Sequence, residues 1–301
     1  MKGLCEYGDE VACALASNAP VVALETTLVT HGLPHPDGVT TALSLEQIVR
    51  EAGATPATIG IIDGVIRIGL TRNELQRLAD DPHVAKVNLS NLAAAVSSGQ
   101  PGSTTVAATM FAAHANGLRV FATGGIGGVH RDASESGDVS ADLTALSRIP
   151  IAVVSAGAKA ILDLPRTVEM LETLGVPLFG FGTDEFPAFY RRSSGLPVDR
   201  RYDSITELAS AVRLHLSLGL GTGVLIANPI PIADEVPSEL YDRALQTALS
   251  KAEAHGLRGR AVTPFLLDEM RAVTGGESVR ANVALLRHNA RVAAALAVAG
   301  V

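Results

Sequence analysis

The sequence predicts an α/β fold: three layers, α/β/α, on a mostly parallel, mixed central sheet. Two observations predict it. Short apolar runs of strand length recur along the chain, and segments with helical periodicity separate most of them. That alternation builds parallel sheets covered on both faces. One dipeptide, Asp63-Gly64, joins two β-rich runs directly, which marks a hairpin and makes the sheet mixed.

Taken in order, PVVALETTLV (20–29) reads as the first strand and TTALSLEQIVREAG (40–53) as a helix. ATIGIIDG (57–64) and VIRIGL (65–70) form the hairpin. RNELQRLADD (72–81) and TTVAATMFAAHANG (104–117) carry helical spacing. LRVFATGG (118–125), IPIAVVSAG (149–157), VPLFGFG (176–182) and TGVLIANPI (222–230) read as buried strands. Helices are expected between them over PRTVEMLETLG (165–175) and SITELASAVRLHLSLG (204–219), and a long one at the end over VRANVALLRHNARVAAALAVAG (279–300). No linker, low-complexity segment or repeat divides the chain, so residues 1–301 are expected to form one domain.

Composition narrows the function classes. A net charge of −7 argues against a general nucleic-acid binder, and 4% aromatic content with no Trp disfavours a base-stacking surface. Cys5 and Cys13 make neither a disulfide framework nor a zinc motif. The N-terminus carries early acids, unlike a signal peptide, and no apolar stretch reaches the length of a membrane span. A soluble cytoplasmic protein is expected, with no nucleic-acid or membrane partner.

In open α/β sheets ligands gather at the carboxyl ends of strands. Those ends hold the unusual residues. Glu25 lies inside an apolar run; desolvated, it would titrate high and suit general acid or base work, or it faces solvent on an edge strand. GGIGG (124–128) is either an anion-binding nest or a tightly packed turn, and it departs from the dinucleotide fingerprint. HRDASESGDVSADL (130–143) carries Asp132, Glu135, Asp138 and Asp142, which suit a hard divalent cation, or else form a solvated loop with Asp138 or Ser140 capping a helix. GTDEFPAFYRRSSG (182–195) reads as a lid, a subunit contact or a surface loop.

Lysine usage is more pointed. The chain has twenty arginines and only four lysines, Lys2, Lys86, Lys159 and Lys251. Where a positive charge suffices it writes arginine, which stays protonated; a lysine in apolar surroundings can lose its proton and attack a carbonyl. Lys2, at the terminus, and Lys251, in LSKAEAHG, are expected to be solvated. Lys159, in VVSAGAKAIL, is a candidate nucleophile, or an exposed residue at a helix start; Lys86 is a candidate point charge for an anionic ligand, or solvated beside a short strand.

Together these stretches resemble the pseudouridine-5′-phosphate glycosidase family, also called the indigoidine synthase A-like family. The matching segments are VALETTLVTHGLP, ATIGIIDG, TTVAATM, VFATGGIGGVHR, DVSADL, VVSAGAKAILD, GTDEFPAFY, GVLIANPIP, VTPFLL and TGGESVRANVALL, in the family's order along nearly the whole chain. The resemblance implies reversible cleavage of the carbon–carbon glycosidic bond of pseudouridine 5′-phosphate, giving uracil and ribose 5-phosphate. It implies ribose ring opening and an imine between C1′ and a lysine. By matching position, Lys159 is the imine-forming lysine, Glu25 the general acid and Asp138 the ligand of a divalent metal, with Mn²⁺ expected. Lys86, Val106, Ser140, Ala141 and Asp142 match substrate-contact positions, Asp142 also as a proton shuttle, and Thr123, His130 and Asn282 match further contacts to phosphate, base or sugar. A homotrimer is implied. The chain departs from the family where a basic pair is common, carrying Leu89 and Ser90 in VNLSNL, and it reads HRDAS where HRG is common. The alternatives within the same fold are a Schiff-base lyase on another sugar phosphate and an accessory protein of indigoidine synthesis.

Overall fold

A computed structural model describes residues 4–257 and 262–301; side chains of residues 263 and 264 are not described, and Lys2 lies outside the described residues. Eleven strands form one sheet. They are β1 (Cys5–Tyr7), β2 (Val21–Leu24), β3 (Thr55–Ile62), β4 (Val65–Ile68), β5 (Ala85–Val87), β6 (Gly102–Thr104), β7 (Val120–Ala122), β8 (Ala152–Ser155), β9 (Leu178–Phe181), β10 (Arg200–Tyr202) and β11 (Val224–Ala227). The main path runs β1-β4-β3-β2-β7-β8-β11-β9-β10, with β6 on β3 and β5 on β6. Only the pairs β3–β4 and β3–β6 are antiparallel, so the sheet is mixed and mostly parallel as expected. Asp63 and Gly64 turn the β3–β4 hairpin with φ of 52° and 78°, the left-handed pair that a two-residue turn needs and that Asp-Gly tolerates.

Each apolar run contains its strand, and the central strands are buried along their whole length: β2, β7, β8 and β11 expose no residue. Helices surround the sheet: α1 (Asp9–Ala16), α2 (Asp37–Glu51), α3 (Arg72–Asp80), α4 (Leu92–Ser97), α5 (Val106–Ala115), α6 (Ala133–Ser136), α7 (Ala141–Leu146), α8 (Leu164–Thr173), α9 (Ile205–Ser217), α10 (Ser238–Ala254), α11 (Val262–Val273) and α12 (Glu277–Val298). The long α12 lies along α2 and α9 and over β2, β7 and β8, while α5 packs on α7 and over β2 and β3. No helix among the described residues is long and apolar enough to cross a membrane.

Most strands are shorter than their apolar runs, β2 by the most. PVVALETTLV leaves the sheet after Leu24, and a π-helical turn follows over Leu28–Gly32. The reason is local chemistry. Thr26 Oγ1 donates to the Ile59 carbonyl at 2.8 Å and Thr27 Oγ1 to the Thr104 carbonyl at 2.7 Å. Hydroxyls thus take over from the backbone ladder, and β2 ends with Glu25 at its carboxyl end rather than inside it. Nor is β2 an edge, since it lies between β3 and β7.

Candidate active site

Chain order reverses across β2. The strand after it in sequence, β3, pairs on one side, and β7 pairs on the other. Ligands bind at such a switch point, beyond the strands' carboxyl ends. Here Glu25 leaves β2, Thr123 and the glycine loop leave β7, and the segment to Lys159 leaves β8. A cavity of about 280 Å³ opens there. Glu25, Lys86, Val106, Thr123, His130, Asp138, Ser140, Ala141, Asp142, Lys159 and Asn282 all line it, so the positions matched by the resemblance converge on one space, while Asp132 and Glu135 are exposed and do not line it.

Glu25 is buried, and Thr123 Oγ1 donates to its Oε1. Burial raises its carboxyl pKa above that of a free glutamate; Lys159, the Thr123 hydrogen bond and Lys86 lower it, and Asp142 raises it further. The net rise keeps a proton available, as a general acid needs.

Lys159 follows no strand end into a helix. Its backbone N–H donates to the Ile126 carbonyl at 3.0 Å, and Ile126 N–H donates to the Gly157 carbonyl at 3.0 Å, so the lysine segment runs beside the glycine loop. The ammonium donates to the Gly125 carbonyl at 2.8 Å and makes no ion pair among the described residues. The side chain is half-buried and faces the cavity, opposite the exposed reading. A carbonyl holds the amine in place without neutralising it.

The glycines of GGIGG serve packing. A Cβ on Gly125 would lie 2.7 Å from the Phe189 ring, and one on Gly127 would strike Ser140 and the Asp142 carboxylate. The N–H groups of Ile126 and Gly127 are already taken, by the Gly157 carbonyl and by Asp142 Oδ2 at 2.7 Å. The tight turn, not an open anion nest, is what these residues form. Asp142 is its strut: its Oδ1 also accepts from Ala107 N–H at 3.0 Å, at the start of α5. Ser140 caps α7 and accepts from Asp142 N–H at 3.2 Å.

GTDEFPAFYRRSSG is no surface loop. Phe186, Phe189 and Tyr190 are buried, and Phe189, held at φ 62°, walls the cavity over Gly125. Asp138 is half-buried at the rim, its Oδ2 4.0 Å from His130 Nε2. Among the described residues no three His, Cys, Asp or Glu side chains gather as a metal cage. A hard cation that keeps most of its waters needs only one or two carboxylates, and Asp138 at the rim could supply one. Lys251, ion-paired with Glu269 at 2.6 Å, is exposed as expected.

Among the cavity residues not singled out from the sequence, three polar ones stand out. Thr105 Oγ1 is buried with no partner among the described residues. His31, from the π-helical turn, and Asn88, after β5, also line the space. Asn88 stands in the VNLSNL stretch, whereas Leu89 and Ser90 beside it are exposed. A histidine and a threonine among short loops carry no periodic signal; position after a strand was the only available clue.

Residues 10–299 match the family described as indigoidine synthase A like protein. The chain belongs to this family. Among relatives in it, a pseudouridine-5′-phosphate glycosidase of Methylobacterium nodulans is 53% identical over 98% of this chain and 88% of its own length. Another glycosidase of that name, from Caldanaerobacter subterraneus subsp. tengcongensis, is 49% identical over 99% of this chain and 97% of its own. Among solved structures, the prealnumycin C-glycosynthase AlnA in complex with ribulose 5-phosphate superposes with a TM-score of 0.91 at 39% identity, covering 99% of this chain and 97% of that one. The indigoidine synthase A-like fold thus carries carbon–carbon glycosidic chemistry in a named relative that handles a pentose phosphate.

Proposed function

We propose that this chain is a pseudouridine-5′-phosphate glycosidase, cleaving its substrate with water to uracil and ribose 5-phosphate, reversibly. The observation that carries the proposal is the pairing, across one cavity, of a buried carboxyl with raised pKa and a lysine amine that makes no ion pair among the described residues. Ordinary glycosidases use two carboxylates and an oxocarbenium-like transition state. A base bonded through carbon leaves poorly by that route, so an amine whose lone pair can form an imine at C1′ supplies the electron push that expels the base.

The steps follow from the two residues. Glu25 gives its proton to the ribose ring oxygen, and the ring opens. The Lys159 amine bonds to C1′. The amine lone pair then forms the C1′=N bond as the bond to uracil C5 breaks; that electron pair goes to C5, which takes a proton. Water hydrolyses the imine and frees ribose 5-phosphate. Lys86, Val106, Ser140, Ala141, Asp142, Thr123, His130 and Asn282 hold the substrate, and Phe189 and Leu162 keep the cavity dry on their side.

Asp138, with His130 beside it, would hold Mn²⁺ or a similar ion largely through water. Such an ion supplies positive charge for the anionic substrate. The reading extends to a homotrimer of single-domain chains working in the cytoplasm, on the support of the family resemblance.

A uracil-release assay on pseudouridine 5′-phosphate tests the proposal, with manganese and after chelation. Uracil is expected with the metal, and chelation is expected to lower the rate at least about tenfold. Absence of uracil under both conditions sinks the proposal. The second reading, a lyase on another sugar phosphate, is favoured by the resemblance to AlnA and by the uncharged stretch after Lys86; it predicts product from other sugar phosphates and none from this substrate.

A further inference from the structure

His31 is the one titratable side chain lining the cavity to which the mechanism above gives no part. With Thr30 donating to Ser103, its hydrogen bonds favour one tautomer. Thr30 Oγ1 has one proton, which it donates to Ser103 Oγ at 2.7 Å. The Ser103 proton has the Ala85 carbonyl as an acceptor at 3.4 Å, and His31 Nδ1 lies 3.4 Å from the same hydroxyl. Thr30 Oγ1 also lies 2.6 Å from His31 Nδ1. Its own proton is committed elsewhere, so the contact requires Nδ1–H as donor. Burial, and then the charge of Lys86, lower the imidazole pKa and favour the neutral ring. A neutral ring protonated at Nδ1 leaves Nε2 as a bare acceptor. That nitrogen has no partner among the described residues, is not buried, and belongs to a ring lining the cavity.

Its neighbours define what it faces. β5 and β6 pair Lys86 with Ser103, which touches His31. Thr105, next along from β6, brings a buried hydroxyl without a partner. This rim therefore offers a donor, Lys86 Nζ, an acceptor, His31 Nε2, and a hydroxyl, Thr105 Oγ1, that can do either. A phosphate presents oxygen acceptors almost alone and would meet a lone pair at His31. Uracil presents two carbonyl acceptors and two ring N–H donors, an alternation that the rim complements.

We propose that His31 reads the base, its Nε2 accepting a hydrogen bond from a ring N–H of uracil. The proposal rests on the pseudouridine reading above. If the N–H is N1–H, the contact also selects carbon-linked nucleotides, because a nitrogen-linked uridine has no proton there.

The test compares kcat/KM on pseudouridine 5′-phosphate and on its 1-methyl and 3-methyl derivatives, for wild type, His31→Ala and His31→Gln. Wild type is expected to disfavour one methylated substrate by at least about tenfold. In His31→Ala the parent substrate falls by about ten- to a hundredfold, and the disfavoured derivative comes within about threefold of it. His31→Gln, which keeps an acceptor, recovers part of the loss on the parent. An equal loss on all three substrates, the mark of a sugar contact or of damage to the fold, overturns the proposal, as does an unchanged preference. Wild type that releases no uracil sinks the pseudouridine reading itself and this one with it; wild type that releases uracil with preferences independent of His31 sinks this one alone.

Discussion

Burial keeps the proton on Glu25 at a higher pH than a free side chain would hold it, while Lys159 is anchored by a carbonyl. The first effect has a cost in stability with a defined sign. The unfolded chain ionises Glu25 near 4.5 and the folded chain at a higher pH. Between those values the folded state binds more protons, so stability falls as pH rises and stays lowered above the folded pKa. Glu25→Gln cannot ionise. Its melting temperature is expected to exceed that of wild type by a margin that grows as pH rises above about 4.5, while uracil release drops by about 10²- to 10⁴-fold. Thermal melts across pH and the rate assay check both; a variant that is less stable than wild type at neutral pH and also active contradicts the assigned role. The sequence showed these two residues for different reasons. Glu25 stood out as a carboxylate among apolar neighbours, and Lys159 as a lysine in a chain that prefers arginine. His31 and Thr105 were not legible, because their meaning lies in which partner takes which proton.

Most elements with a strong period were legible and the shortest were not, but two longer helices, α10 and α11, were not read either. Seven apolar runs each contained a strand, and six helical patterns contained helices. β1, β5, β6 and β10 are three residues each, too short to show alternation, and β5 carries Lys86 itself. The glycine loop was visible as composition, but its purpose was not: it lets Phe189, Ser140 and Asp142 approach the backbone closely. Asp142 ties this loop to the start of α5 through both carboxylate oxygens. Asp142→Asn turns one oxygen into an N–H donor facing an N–H and leaves that buried group unpaired. A loss of about 1–3 kcal/mol in urea unfolding is expected, with activity falling as the loop and Lys159 shift together. A fully stable variant would show that the two bonds do not hold the loop.

At the scale of the whole molecule, the strand order was beyond the sequence, since periodicity says what is a strand and not which strands pair. The switch at β2 brings together residues more than a hundred positions apart. A long-range tie braces strand ends beside it: the buried Asn289 of α12 donates to the Thr123 carbonyl at 2.8 Å and accepts from Asn228 Nδ2 at 2.8 Å. It joins the ends of β7 and β11 to the C-terminal helix. Asn289→Ala strands both partners and is expected to cost about 1–3 kcal/mol by chemical denaturation; a negligible change would place the tie elsewhere.

The central claim is that Lys159 forms the covalent bond to the sugar. Borohydride reduction of the protein with ribose 5-phosphate, followed by peptide mass mapping, tests it most directly. The account predicts a reduced pentose-phosphate adduct on the peptide bearing Lys159, and none in Lys159→Ala. Equal labelling of the Lys159→Ala protein, or no adduct on a wild-type enzyme that releases uracil, would contradict it.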